Sequence, residues 1–228
     1  MNQGTLTGVS LGPGDPELIT VKGLGRLQNA DIILFPATDR SHQKSFSRKV
    51  LEHLKIETER RPLLIPMTGK NRSVHYEEAW QQVKEQMSQG KNVVVASEGD
   101  ALFYSTFGYL LKRARAEAVQ VEVIPGIPAF IAAGAQGDWP IVDGQTGVEV
   151  MARPESFEQL NQALTEPKTL VVMKMSVLKG WTPFLKQCRR SFLYVESLGT
   201  TDQFVATTAR EIENREIPYF SLIIFYPD

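Results

Sequence analysis

One cysteine, Cys188, and three histidines, His42, His53 and His75, are all that 228 residues offer to a soft or borderline metal ion. A structural zinc site usually takes four Cys or His ligands and an iron–sulfur cubane takes clustered cysteines, so one chain assembles neither and no protein-bound metal is expected. An intramolecular disulfide is excluded, which fits a reducing compartment. Long apolar runs are missing too. Nothing approaches the roughly 18 residues that a membrane span needs. The start, Met1-Asn2-Gln3-Gly4-Thr5, shows no basic-then-apolar secretory pattern, so a cytoplasmic protein without membrane association is expected. Charge of one sign is also absent: 25 Lys and Arg stand against 26 Asp and Glu, a net charge of −1. No global field draws this chain onto nucleic acid, and recognition of anions has to be local.

What is present reads as α/β. Hydrophobic residues make up 42% of the chain, ordinary for a folded protein of a size that buries a large core. Short apolar runs at Leu6–Leu11, Ile32–Phe35, Leu63–Ile65, Val93–Ala96 and Val121–Ile124 read as strands. Helical spacing separates them, as in Glu17–Gln28 with Leu18, Val21, Leu24 and Leu27, and in Tyr76–Met87 with Ala79, Trp80 and Val83. Phe107–Ala114 and Ala129–Ala135 are shorter helical stretches. Such alternation implies a largely parallel sheet covered on both faces. The glycine-rich stretch 134–147 then suggests a boundary. Beyond it, strands are expected at Gly147–Met151, Thr169–Met173, Phe192–Val195 and Phe220–Phe225, with helices at Phe157–Leu164, Thr182–Gln187 and Phe204–Glu213. The expectation is two α/β domains with mostly parallel or mixed sheets, 1–138 and 139–228.

Three loops carry the chemistry. Leu11-Gly12-Pro13-Gly14-Asp15-Pro16-Glu17 follows the first strand: its glycines open the backbone, and Asp15 can cap a helix whose first position is Pro16. Backbone N–H groups there suit a carboxylate, although a plain strand–helix turn reads the same way. A dinucleotide fingerprint fails, since Glu17 holds the third glycine position and strand two ends Leu34-Phe35-Pro36 with no acid. The Walker pattern fails as well, with no Gly-Lys-Ser/Thr. Ser97-Glu98-Gly99-Asp100 through Thr106 follows the fourth strand, where open α/β sheets bind ligands. Two carboxylates around a glycine at that place are hard to explain as packing, although a turn with a helix cap is the plainer alternative. Ile124-Pro125-Gly126-Ile127-Pro128 reads as a tight turn before a helix.

Together with the closing Pro218–Phe225, these segments resemble the tetrapyrrole methylases, the class III methyltransferases, over nearly the whole chain. Gly8–Glu17 is similar to the family's opening strand and loop, Glu98-Gly99-Asp100 to its glycine–aspartate loop, and Pro125-Gly126-Ile127 to its proline–glycine turn. Pro66-Met67-Thr68, Glu98–Phe107 and Pro218–Ile223 most resemble the members that methylate C20 of precorrin-2 or cobalt-factor II. Ala101 stands where proline is usual, and Pro128 and Ala129 where small hydroxyl residues are common.

The resemblance implies S-adenosylmethionine as methyl donor, held in a cleft between the domains by Pro36, Glu98, Gly99, Asp100, Phe103, Pro128 and Ala129. Lys174, within Met173–Met175, and the turn Leu198–Thr201 would complete the pocket. Gly12, Gly14 and Asp15 would face the tetrapyrrole. A homodimer is implied. Methyl transfer to an electron-rich meso carbon needs placement more than a nucleophile, with Asp100, Tyr104 or water to take the departing proton. Of the basic clusters, Arg40, Lys44, Arg48 and Lys49 suit substrate carboxylates or a solvated helix face equally, with Lys44 and Arg48 the expected contacts. Lys112, Arg113 and Arg115 could serve the same carboxylates but read sooner as a solvated helix face. A different class III substrate, or a non-catalytic tetrapyrrole-binding module, would share most of these features.

Overall fold

The computed structural model describes residues 4–38, 45–66 and 72–227. Its contacts divide the chain into two units, Met1–Pro128 and Ala129–Asp228. In the first, strands β1 (Thr5–Ser10), β2 (Ile32–Ala37), β3 (Arg60–Leu64), β4 (Asn92–Ser97) and β5 (Val121–Ile124) alternate with helices α1 (Val21–Gln28), α2 (Phe46–His53), α3 (Arg72–Ser88) and α4 (Phe107–Ala116). The strands form one parallel sheet in the order β3-β2-β4-β1-β5. Ile32, Leu34, Val93 and Val95 pack with Trp80 and Phe107 on the α3–α4 face. Ile33, Phe35 and Val94 pack with Leu27 and Leu51 on the other face. Burial on both faces is why these strands read as unbroken apolar runs. Each fully buried large side chain is worth roughly 1.5–3 kcal/mol over its exposed state.

That strand order places the site. From β1 the chain leaves toward β2, whereas from β4 it leaves toward β5, in the opposite direction. The adjacent strands β1 and β4 are therefore the switch point, and a crevice opens beyond their carboxyl ends.

Helix α1 starts later than its spacing suggests. Asp15 caps a separate 3-10 turn, Pro16–Leu18, and Thr20 then caps α1 by accepting from Gly23 N at 3.0 Å. The basic stretch conceals α2. Ser45 caps it, while Ser47, Val50 and Leu51 form its buried stripe. At the far edge of the sheet, Glu122 of β5 accepts from Arg26 at 2.6 Å and bridges Lys22 at 2.7 Å. The Arg26 hydrogen bond first, then that of Lys22, holds the Glu122 carboxyl down to about 2, against 4.5 ordinarily. The stabilisation is therefore complete above about pH 4.5 and lost as the pH falls through about 2. Because the pair is exposed, Glu122→Gln is expected to lower the melting temperature at neutral pH by no more than about 2 °C. The variant should flatten the loss of stability between pH 4.5 and 2, read by thermal melts.

In the second unit, α5 (Ala129–Gln136) precedes β6 (Gly147–Ala152), α6 (Phe157–Ala163), β7 (Lys168–Met173), α7 (Trp181–Gln187), β8 (Phe192–Glu196), β9 (Phe204–Ala206) and β10 (Ser221–Phe225). The sheet is mixed, in the order β6-β7-β10-β8-β9, with only β6 and β7 parallel. Helices α6 and α7 cover one face through Leu160, Trp181 and Leu185. Helix α5 contacts β8 and β10, so it groups with the second unit, whereas the glycine-rich stretch suggested a division after it.

One expected helix, Phe204–Glu213, is absent. Phe204–Ala206 pairs with Tyr194–Glu196 as a strand instead. A turn follows, in which the Glu211 carboxylate accepts from Thr207 N, Thr208 N and Thr208 Oγ1. Cross-strand pairing and side-chain turn chemistry override a modest helical pattern here. No helix among the described residues is long and apolar enough to cross a membrane.

Candidate active site

The loops that leave β1 and β4 are joined by backbone. Gly12 N donates to Gly99 O at 3.2 Å and Gly99 N to Gly12 O at 2.8 Å, an isolated antiparallel bridge across the switch point. Both residues are left-handed, Gly12 at φ +79° and Gly99 at φ +63°, where a side chain is strained. Leu11 N adds a bond to Ser97 O at 2.8 Å.

Asp100 extends the tie to a third loop. One carboxylate oxygen accepts from Leu102 N and the other from Gly126 N, each at 2.8 Å. The Ser10 hydroxyl, fully buried, does similar work beneath it: it accepts from Ala101 N and donates to Ile124 O, both at 2.8 Å. The proline–glycine turn must be a glycine turn because space runs out. A Cβ on Gly126 would stand 2.4 Å from Ser10 Cβ. Ser10 was not singled out from sequence, although a serine in the buried run Leu6–Leu11 was a signal for it.

The other expected residues fall as follows. Glu98 accepts from Ser47 Oγ at 3.2 Å, joining the β4 loop to the start of α2. The Pro36 carbonyl accepts from Ser45 Oγ at 2.8 Å, at the same helix start. Phe103 is half-buried and meets the exposed Tyr104 edge-on at 4.8 Å. Ser105 Oγ accepts from Phe107 N, the first residue of α4, at 3.0 Å. Gly12 and Gly14 are buried, and Asp15 accepts from Glu17 N at 2.9 Å. Arg48 pairs with Glu52 at 2.7 Å within α2. Arg40, His42, Lys44, Met67 and Thr68 lie outside the described residues. Pro128 and Ala129, both half-buried, begin the passage into α5.

In the second unit, Lys174 follows β7 at φ +58°, its ammonium 5.8 Å from the centre of the Tyr219 ring. Ser197 follows β8 at φ +46° and opens the turn Leu198–Thr201. Tyr104 is likewise left-handed, at φ +50°. Such strain costs of order 1–3 kcal/mol per residue and clusters at functional sites. Beneath the Ser197 turn, Glu196 is 5% exposed, accepts from Tyr194 Oη at 2.5 Å and holds Arg215 at 2.7 Å. Burial pushes the Tyr194 phenol far above its ordinary range, and the bond to Glu196 adds to it.

Tied glycine loops at the switch point of a parallel sheet, followed by a mixed-sheet unit, are the arrangement of a known methylase class. A solved cobalt precorrin-4 methyltransferase superposes with a TM-score of 0.75 at 24% identity, over 97% of this chain and 94% of that one. A uroporphyrin-III C-methyltransferase from Thermus thermophilus, solved with S-adenosylhomocysteine, gives a TM-score of 0.69 at 21% identity over 98% and 97%. The family profile of the tetrapyrrole (corrin/porphyrin) methylases matches residues 5–213. The chain belongs to that family and is a methyltransferase. Among relatives, the precorrin-2 C(20)-methyltransferase of a Sinorhizobium species is 32% identical, with 97% of this chain and 94% of that one aligned.

Proposed function

We propose that this enzyme transfers a methyl group from S-adenosylmethionine to the C20 meso carbon of precorrin-2 or its cobalt form. The observation that carries the reading is the Gly12–Gly99 bridge with Asp100 beside it, which fixes a side-chain-free backbone frame where the family's glycine–aspartate loop stands. The likeness to a C20-methyltransferase along the full chain supports the substrate.

The residues present fit a sulfonium donor. Glu98–Phe107 carries two carboxylates and no basic residue, so nothing on that loop repels a cation. Ser97 Oγ is buried at the tip of β4 with no hydrogen-bond partner among the described residues, a polar group in want of one. Pro36, Glu98, Gly99, Asp100, Phe103, Pro128, Ala129 and Lys174 are assigned to hold the donor. When bound, it supplies a methyl already activated by positive sulfur. A carbon–carbon bond then forms at the meso position as the sulfur–carbon bond breaks, and a proton leaves the methylated carbon. The chain's part is placement, with carbon and methyl held about 3–3.5 Å apart and aligned. Asp100, with each oxygen committed to a backbone N–H, serves as a positioning residue. Tyr104, exposed on the same loop, is left to take the proton directly or through water. The reading carries with it a cytoplasmic homodimer, checked by light scattering.

Incubation with methyl-labelled S-adenosylmethionine and precorrin-2 or cobalt-factor II, followed by NMR location of the new methyl, tests the proposal. Label at C20 is expected; label elsewhere on the ring overturns the position, and none on either substrate overturns the reading. Gly99→Val places a β-branched residue at φ +63° and is expected to abolish the calorimetric heat of S-adenosylmethionine binding while the circular dichroism of the fold persists.

A further inference from the structure

The helices α3 and α4 enclose a cleft of about 360 Å³, lined by Arg72, Ser73, Tyr76, Tyr109, Lys112 and Arg113. Its chemistry is uneven. Tyr76 is buried, and Tyr109 stacks on it with ring centres 4.0 Å apart and planes 11° from parallel. Tyr109 is itself 48% exposed, so the stack presents an aromatic platform to whatever enters. Arg72 donates from Nη2 to Tyr76 Oη at 2.8 Å, but its Nε is buried with no acceptor among the described residues. A buried guanidinium N–H without an acceptor is costly and calls for one. Lys112 reaches over the Tyr109 ring at 6.0 Å. Arg113 bridges Glu77 at 3.1 Å. Among the described residues these three cations make one ion pair, Arg113 with Glu77, with Glu117 also acting on Arg113, against an apolar aromatic wall.

The position matters as much as the chemistry. Arg72 opens α3 and Tyr109 lies in the first turn of α4, and both helices run back from the carboxyl edge of the parallel sheet. Arg72 and Tyr109 therefore sit toward the edge of the sheet that carries the Gly12–Gly99 bridge. Of its lining, the sequence marks Lys112 and Arg113 alone as a helix face that solvent or a substrate carboxylate could meet. A solvated face has no reason to bury an arginine Nε without a partner or to stack two tyrosines beneath its lysine.

We propose that this cleft is a subsite for one carboxylate arm of the tetrapyrrole, the carboxylate taken by Arg72 and Lys112 and the adjoining ring resting on Tyr109. The assignment deepens the C20-methylation reading and rests on it for the identity of the substrate. Planar recognition of a carboxylate is what a guanidinium does best, with the ammonium adding charge. The cation–aromatic contacts keep both heads aimed inward before a ligand arrives.

The test uses uroporphyrin III, a stable fluorescent tetrapyrrole polycarboxylate, titrated into the full chain at low salt. Lys112→Glu and Arg72→Gln are compared with wild type. The dissociation constant is expected to rise at least tenfold in Lys112→Glu and severalfold in Arg72→Gln, while calorimetric binding of S-adenosylhomocysteine stays unchanged. With precorrin-2 as substrate, its KM should rise in the same order with kcat little altered. Equal uroporphyrin III affinity in wild type and both variants overturns the subsite, as does a wild type that does not bind it. A wild type that binds through these residues yet transfers no methyl keeps the subsite and removes the C20-methylation reading.

Discussion

Replacing Asp100 by alanine is expected to lower kcat/KM at least tenfold and to weaken S-adenosylmethionine binding, with the fold retained. The carboxylate joins the loops after β4 and β5 directly, through Leu102 N and Gly126 N at 2.8 Å each, with Ser10 making a second tie beneath it. Its removal leaves two N–H groups to find water, at the lower end of the roughly 1–3 kcal/mol that an orphaned donor costs, because neither is fully buried. Such a loss is affordable within a typical stability of 5–15 kcal/mol. Asp100→Asn should fall between, since one oxygen still accepts while the amide nitrogen faces a donor. Kinetics separate this from general damage: a urea midpoint near wild type alongside a tenfold drop in turnover marks a placement effect. Unchanged turnover would take Asp100 out of the site.

Arg215→Ala should be the more damaging change to stability. Arg215 is 40% exposed along its side chain, yet it holds Glu196, which is nearly buried, through Nε at 3.2 Å and Nη2 at 2.7 Å. It also lies 3.7 Å over the Phe204 ring. Removing one partner of a buried ion pair typically costs 3–5 kcal/mol, because the other charge is left uncompensated. Partial access of water to Arg215 lowers the expectation to about 2–3 kcal/mol, read as a shift in the urea midpoint. Arg215→Lys should recover part of it, keeping the charge without the fork. The turn that follows Glu196 opens on strained Ser197, so a rise in the KM for S-adenosylmethionine is expected beside the stability loss. A midpoint within experimental error of wild type would show that Glu196 needs no counter-charge.

The first sheet was legible in the sequence because its strands are buried on both faces, and runs such as Ile32–Phe35 have no polar interruption. At the sheet edge the signal weakened: β3 begins at Arg60 and Arg61, whose exposed side chains disguise a strand. Helix α2 was hidden for a related reason. Its outer face carries Arg48 and Lys49, which suit a substrate carboxylate as well as they suit solvent, and its buried stripe of Ser47, Val50 and Leu51 is short. Glycines and carboxylates announced the loops at the strand tips, since few packing roles need them there. What those residues do to one another was not legible. That Asp100 reaches Gly126, that Glu98 reaches Ser47 and that Gly12 meets Gly99 depend on which strands become neighbours. Strand order is set by the whole sheet, not by any local pattern. The same holds for the cleft on α3 and α4, where Arg72 and Lys112 lie far apart in the chain until the helices pack.

The bridge between Gly12 and Gly99 is made only of main-chain atoms. Exchange of a neighbouring side chain such as Pro13 or Leu102 leaves its donors and acceptors in place. An engineer seeking to redirect this enzyme to another macrocycle can therefore diversify those positions while the frame that carries them keeps its shape, and the two glycines are the letters to leave alone.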